Sequence, residues 1–359
     1  METSARVMIL SIFSHLSLAY CWAPTMLRSA PQVSSVARRI AAACHDRPRT
    51  RLGPRMSSVP STCGEDALLS RTQKFQAIFT DVDGTLLNKQ HQLDPETCAA
   101  INEAVNSGVK VVMATGKARG PWVGDVRRAL GLQDKGYTIS GPGVFIQGLL
   151  VCDNEGNAIQ EIKLGRETVQ ELVTYSNTHQ ITIVAYTDKD MIVTSETNKD
   201  TDVLRPYNEP PPTSVGEEGM RRLGAEGELC VYKMMFIGEE AILKRHRPEI
   251  EQKFAGVAAV TKAMDGMLEI LPPGASKASG VRRAMQALGV SPAACMAMGD
   301  GENDLEMLKL VKEAGGLAVA VGNAVPKLKE VADRTVNDHD KLGAAEAIRL
   351  VLESNAKLS

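Results

Sequence analysis

The stretch KFQAIFTDVDGTLLN, residues 74–88, sets a near-continuous run of apolar and β-prone residues directly before two aspartates, Asp81 and Asp83. A run without polar alternation reads as a strand buried on both faces, the habit of parallel sheets. Carboxylates at the end of such a strand are costly. Two like charges about 4 Å apart repel by roughly 4 kcal/mol even at an effective dielectric near 20. Asp81 and Asp83 are therefore read as ligands of a divalent cation. With oxygen donors and neither His nor Cys in the stretch, the expected ion is hard: Mg²⁺, bound by a few carboxylates, waters and a substrate phosphate. An ionised Asp is also a nucleophile that needs no base, and the metal removes its repulsion toward a phosphate.

Working outward, strands and amphipathic helices alternate. FQAIFTDV (75–82) is a strand, DPETCAAINEAVNSG (94–108) a helix with Asp94 as N-cap and Pro95 in its first turn, and VKVVMATG (109–116) the next strand. The alternation returns near the C-terminus with SKASGVRRAMQALG (276–289), ACMAMGDG (294–301), ENDLEMLKLVKEAG (302–315), LAVAVGNA (317–324) and VPKLKEVAD (325–333). Such a pattern implies an open parallel sheet whose ligands sit beyond the carboxyl ends of the strands. Three strands then end at one edge with DVDGT, ATGK and GDGEND, so Asp300 and Asp304 complete the acidic cluster.

Between these blocks the texture changes. ISGPGVFIQGLLVCDNEGNAI (139–159) reads as two strands around an Asn-Glu-Gly-Asn turn. Residues 161–272 mix short strands (ITIVAY, DMIVTS, ELCVYKMMFIG, VAAVTKA, GMLEIL) with helices near 167–178 and 239–254, an α+β insert. YNEPPPTS (207–214) is read as a loop, the alternative being a partner-binding motif. The expected organisation is a leader over 1–72, a core over 73–160 and 273–359, and the insert over 161–272.

Composition agrees. With 359 residues, 43% apolar and 23% charged, the chain can bury a real core. Net charge is −2, unevenly spread: residues 3–64 hold eight Arg, no Lys and one acid, Asp46. RVMILSIFSHLSLAYCWAP (6–24) has the make-up of a cleaved signal ending in Ser17-Leu18-Ala19, and the Arg-, Ser- and Ala-rich residues 23–61 that of a transit peptide. The pair resembles the two-part leader of proteins sent to plastids of secondary endosymbiotic origin, with Tyr20 after the first cut. The alternatives are a disordered extension or an internal start at Met56, the latter giving a cytoplasmic protein. Residues 75 onward carry about −8, which argues against a nucleic-acid partner, and no membrane span is expected in the mature form. Cys98, Cys152, Cys230 and Cys295 are scattered and read as buried free thiols; the six histidines are equally scattered, so spacing suggests no zinc site. Oligomeric state is not indicated.

DVDGTLL, ATGK, GASKA and GDGENDLEML, in this order on an α/β core, resemble the four motifs of the haloacid dehalogenase superfamily. The insert between the second and third motifs is similar to the type-2 cap of its Cof-like branch. SGPGVFIQGLLV and LEILPPGASKA also resemble a plastid Cof-like domain that plants fuse to an rRNA-processing endoribonuclease, whose three-His metal motif this chain lacks. The resemblance implies a Rossmann-like parallel-sheet core with an inserted α+β cap. It also implies a Mg²⁺-dependent phosphatase of small phosphorylated metabolites, among them sugar phosphates, nucleotides and vitamin-pathway phosphates.

By the same resemblance Asp81 would attack phosphorus, and Asp83 would protonate the leaving oxygen and then activate water. Thr115 would donate to a phosphate oxygen, and Lys277 would neutralise Asp81 and the phosphoryl group. Asp81, Asp300 and the Asp83 carbonyl would hold Mg²⁺, with Asp304 acting through water or Lys277. Gly84, Gly116 and Asn303 join Thr115 and Lys277 around the phosphate. Three departures stand out: Lys117 replaces the usual Arg, with Arg119 two places on; Gly141-Pro142-Gly143 replaces Asn-Gly-Ala; and Ala278 replaces Gly. The alternatives are a phosphomutase and a non-catalytic plastid binding or assembly protein.

Overall fold

The structure is a computed structural model, and it describes residues 71–129 and 141–358. The leader expected over 1–72 thus falls, but for its last two residues, outside the described residues. The chain first lays down β1 (Ala77–Thr80), α1 (Pro95–Asn106), β2 (Lys110–Ala114), α2 (Pro121–Ala129), β3 (Gly143–Phe145), β4 (Leu150–Cys152) and β5 (Ala158–Glu161). A second set follows: α3 (Arg166–His179), β6 (Thr182–Thr187), β7 (Ile192–Thr194), β8 (Thr213–Ser214), α4 (Gly216–Arg222), β9 (Val231–Ile237), α5 (Glu240–Lys253), β10 (Ala259–Met264) and β11 (Met267–Leu271). The chain then returns with α6 (Lys277–Leu288), β12 (Cys295–Gly299), α7 (Leu305–Glu313), β13 (Leu317–Ala320), α8 (Pro326–Val331), β14 (Arg334–Thr335) and α9 (Gly343–Lys357).

One sheet has the order β14-β13-β12-β1-β2-β3-β4-β5. It is parallel from β14 to β3 and antiparallel through β4 and β5. Strand β1 lies in its middle with every residue buried, as its unbroken apolar run requires, and Ile78 and Phe79 each contribute about 1.5–3 kcal/mol by leaving water. The register pairs Thr80 with Met298 on β12 and with Met113 on β2. Residues more than 200 apart in sequence therefore meet at one edge, where Asp81 N–H donates to the Met298 carbonyl at 3.0 Å.

Helix starts follow local chemistry. Asp94 caps α1 by accepting from Glu96 N–H at 2.9 Å with Pro95 in the first turn, and Ser276 caps α6 by accepting from Ser279 N–H. Of the segment 139–159, the described residues from 141 depart from the two-strand reading. The turn after Asp153 joins β4 to β5, and β3 is a further strand, ended where Ile146 and Gln147 adopt positive φ.

The second sheet, order β10-β11-β9-β6-β7-β8, is antiparallel except for β7 with β8. Its faces differ. Ile183, Ala185, Met234, Phe236, Leu268 and Ile270 pack with Val169, Leu172 and Val173 of α3 and Leu243 and Ile250 of α5. Val184, Tyr186, Met235 and Leu271, the alternate positions, belong instead to the apolar cluster of the first sheet. The helices thus cover the face turned away from the first sheet. Among the described residues, no helix is long and apolar enough to cross a membrane.

Candidate active site

Asp81 directly follows β1, and Asp300 and Asp304 flank the β12–α7 turn. Ligand-capable atoms of these three carboxylates lie within 4.8 Å of one another. Lys277, the first residue of α6, is buried and sends its ammonium into the group, 2.7 Å from Asp81 Oδ1 and 2.8 Å from Asp304 Oδ1. Asp304 Oδ2 accepts from the N–H groups of Asp300 and Gly301, both at 3.0 Å. Thr85 donates to Asp300 Oδ1 at 2.8 Å.

Three carboxylates around one ammonium leave an excess of buried negative charge. Burial and then Asp304 push Asp81 well above the usual carboxylate range, against the opposing pull of Lys277. Asp300 is pushed up to about 6 by burial and by Asp304. Burial disfavours the Lys277 charge, but Asp304 and Asp81 outweigh it and hold the ammonium above its ordinary value. An all-oxygen donor set with uncompensated negative charge fits a hard divalent cation.

Two close approaches shape the loop. Gly84 has φ +74°, and a Cβ there would stand 2.5 Å from Asp300 Oδ2, so only glycine fits between the loop after β1 and that carboxylate. On the far side, a Cβ on Gly280 of α6 would meet the Gly148 Cα at 2.7 Å, so this glycine lets the Lys277 helix pack against the turn after β3.

Asp83 stands apart from the three-acid group. Its side chain pairs with Lys117 Nζ at 3.2 Å and with His91 Nδ1 at 3.1 Å, and the His91 ring meets Tyr207 edge-on. Thr115, at the end of β2, is buried and accepts from Lys117 N–H at 3.1 Å through its hydroxyl. Gly116 presents its carbonyl to Lys233 Nζ of β9 at 3.0 Å, and Lys233 also pairs with Glu269 at 2.5 Å. Asn303 is exposed and donates to the Gln147 side chain at 3.3 Å.

Several neighbours escaped the sequence reading. His91 is one of six scattered histidines, yet its position eight residues after Asp83 lets one loop bring the two together. Glu209, within the loop 207–214, accepts from Ala118 N–H at 3.2 Å. Lys233 and Glu269 lie on strands of the second sheet and carry no local signal. Arg119 does not take up the role of the missing Arg: it pairs with Asp190 at 2.8 Å and donates to the Gly156 carbonyl. Cys152 and Cys295 are buried, with burial pushing them up to about 11 and about 12, whereas Cys98 and Cys230 are only half-buried.

This acid-lined edge of a parallel sheet, facing a second smaller sheet inserted in the chain, defines a class. Residues 78–348 match the family model described as haloacid dehalogenase-like hydrolase, and the chain belongs to that family. It is 38% identical over 286 residues to Endoribonuclease YBEY, chloroplastic, of Arabidopsis thaliana, covering 79% of this chain and 47% of that protein. The chain thus spans about half the length of that relative. It is 29% identical over 259 residues to the HMP-PP phosphatase of Yersinia pseudotuberculosis, covering 70% of this chain and 85% of the relative. A solved haloacid dehalogenase-like hydrolase from Bacteroides thetaiotaomicron superposes with a TM-score of 0.67 at 25% identity, covering 77% of this chain and 99% of that one.

Proposed function

We propose that the protein is a Mg²⁺-dependent phosphatase of small phosphorylated metabolites that works through an aspartyl phosphate on Asp81. The observation that carries the reading is the group of buried Asp81 and Asp304 and half-buried Asp300, with the Lys277 ammonium paired to the first two. The phosphatase name of a relative that shares most of its length with this chain supports it.

Asp81 and Asp300 would hold the ion with the Asp83 carbonyl. Asp304, whose oxygens already accept from Lys277 and two N–H groups, positions that lysine and the turn. When bound, the ion supplies positive charge that lets an anionic phosphate approach an anionic nucleophile. An Asp81 oxygen forms a bond to phosphorus while the bond to the leaving oxygen breaks, and Asp83 gives that oxygen its proton. Asp83 then takes a proton from water, which attacks the acyl phosphate, releases inorganic phosphate and restores Asp81.

Lys117 and His91 orient the Asp83 carboxylate from two sides. The Thr115 hydroxyl accepts from Lys117 N–H through one lone pair and has its own proton to donate to a phosphate oxygen. Lys277, Gly84, Gly116 and Asn303 complete the phosphate cradle. Residues 161–272 act as the cap that selects the leaving group, with Lys233 and Glu209 meeting the 116–118 turn. The chloroplastic relative and the leader composition support delivery to a plastid.

The test is release of inorganic phosphate from a panel of sugar phosphates, nucleotides and vitamin-pathway phosphates, with Mg²⁺ or with chelator, by the protein and by Asp81→Asn. Metal-dependent release that the substitution abolishes is expected. Release that survives Asp81→Asn would overturn the assignment of the nucleophile.

A further inference from the structure

The cap helices carry a second group of metal-ligating side chains. His179 ends α3, and His246 and Glu249 lie three residues apart on α5, where side chains share one helix face. One ligand-capable atom from each lies within 4.8 Å of the others. Spacing along the chain could not reveal this, because the two histidines are 67 positions apart and only the packing of α3 and α5 on one face of the sheet brings them together.

Tyr175 organises the group from beneath. It is 4% exposed, its ring lies 4.2 Å from that of His179 and 5.8 Å from that of Phe236, and so it is anchored in the cap core. Its hydroxyl stands 3.0 Å from Glu249 Oε2 and 2.9 Å from His246 Nδ1. The phenol O–H donates to Glu249 Oε2. That one proton goes to the carboxylate, so the contact with His246 requires Nδ1–H to donate to the phenol oxygen. His246 is then fixed in the Nδ1–H tautomer with its Nε2 lone pair free, the state in which a histidine binds a metal while its other nitrogen is held by a partner. Glu249 keeps its other oxygen available in the same way. The His179 and His246 rings lie 4.8 Å apart, and both are half-buried, so solvent and ions reach them.

We propose that His179, His246 and Glu249 bind a divalent transition ion of the zinc class, clamping α3 to α5 on the cap face that is turned away from the acidic cluster. Two imidazoles and a carboxylate suit Zn²⁺, with a position left for water, and they discriminate against Mg²⁺, which prefers all-oxygen surroundings. The site differs from the Asp81 group in donor type, in location and in metal preference.

Isothermal titration of the full chain with ZnCl₂ in excess Mg²⁺ tests this, with far-UV circular dichroism verifying the fold of each variant. One equivalent of Zn²⁺ is expected to bind the wild type and Asp81→Asn alike. His179→Ala and His246→Ala should each weaken it by about 100-fold, and Tyr175→Phe, which only positions the ligands, by about tenfold. Absence of Zn²⁺ binding in excess Mg²⁺, or binding unchanged in both histidine variants, would overturn the proposal.

Discussion

Replacing Lys277 by Met removes the cation that pairs with two buried carboxylates, Asp81 and Asp304, beside the half-buried Asp300. The ammonium lies 2.7 Å from Asp81 and 2.8 Å from Asp304, with its side chain fully buried. Each such pair is worth about 4 kcal/mol at 4 Å and an effective dielectric near 20. Part of that is returned, since a buried ammonium no longer has to be desolvated, and the net cost of breaking a buried pair is about 3–5 kcal/mol. For a protein of this size the loss corresponds to a melting temperature lower by roughly 10 °C. Thermal unfolding at pH 7.5 in chelator reads this directly. Two further signs follow from the same charge count. Mg²⁺ should stabilise Lys277→Met more than the wild type, because it restores positive charge where none remains. Lowering the pH to 5 should also shrink the defect, because the carboxylates can then take up protons. Equal melting of wild type and variant in chelator at pH 7.5, with the same response to Mg²⁺, would show that Lys277 does not offset the carboxylates.

Asp300, pushed up to about 6 by burial and Asp304, binds more protons folded than unfolded between about pH 4 and 6. Its contribution to the stability of the metal-free protein is therefore present below the unfolded pKa and lost as pH rises through 6, by about 3 kcal/mol. The difference in melting temperature between Mg²⁺ and chelator should accordingly widen from pH 5 to pH 7, and a pH-independent difference would contradict this. Asp83→Asn should lower turnover about 10²–10⁴-fold on alkyl phosphates. Stopped-flow should find a smaller loss in the first step with p-nitrophenyl phosphate, whose leaving group needs no proton. Gly84→Ala, with φ +74° and its Cβ 2.5 Å from Asp300 Oδ2, should cost about 1–3 kcal/mol in chemical unfolding and weaken Mg²⁺ binding measured by calorimetry.

Much of the architecture was legible because its signals are local. A short apolar run such as AIFT, ended by Asp81 and Asp83, reads as a doubly buried strand, and Asp94-Pro95 and Ser276 announce helix starts where they occur. Alternating strands and helices then bring the ends of β1, β2 and β12 to one edge by topology alone. What escaped was long-range. Lys233 reaches the Gly116 carbonyl only because β9 of the second sheet faces the first, and Glu209 reaches Ala118 from a proline-rich loop that reads as featureless. The short strand β8 and helix α4 also went unread; their two and seven residues are too few for a period to emerge. The spacing of His179 and His246 suggests no metal site, because spacing says nothing about two helices packed side by side.

In the proposed reaction Asp81 becomes covalently phosphorylated. Acid quench of the enzyme during turnover of a good substrate, followed by mass spectrometry of the peptide spanning residues 74–88, tests it most directly. A phosphoryl group on Asp81 that forms with Mg²⁺, and is lost in chelator and in Asp81→Asn, is expected. Turnover with no phosphorylated Asp81 at any quench time, or with the label on another residue, would contradict the account.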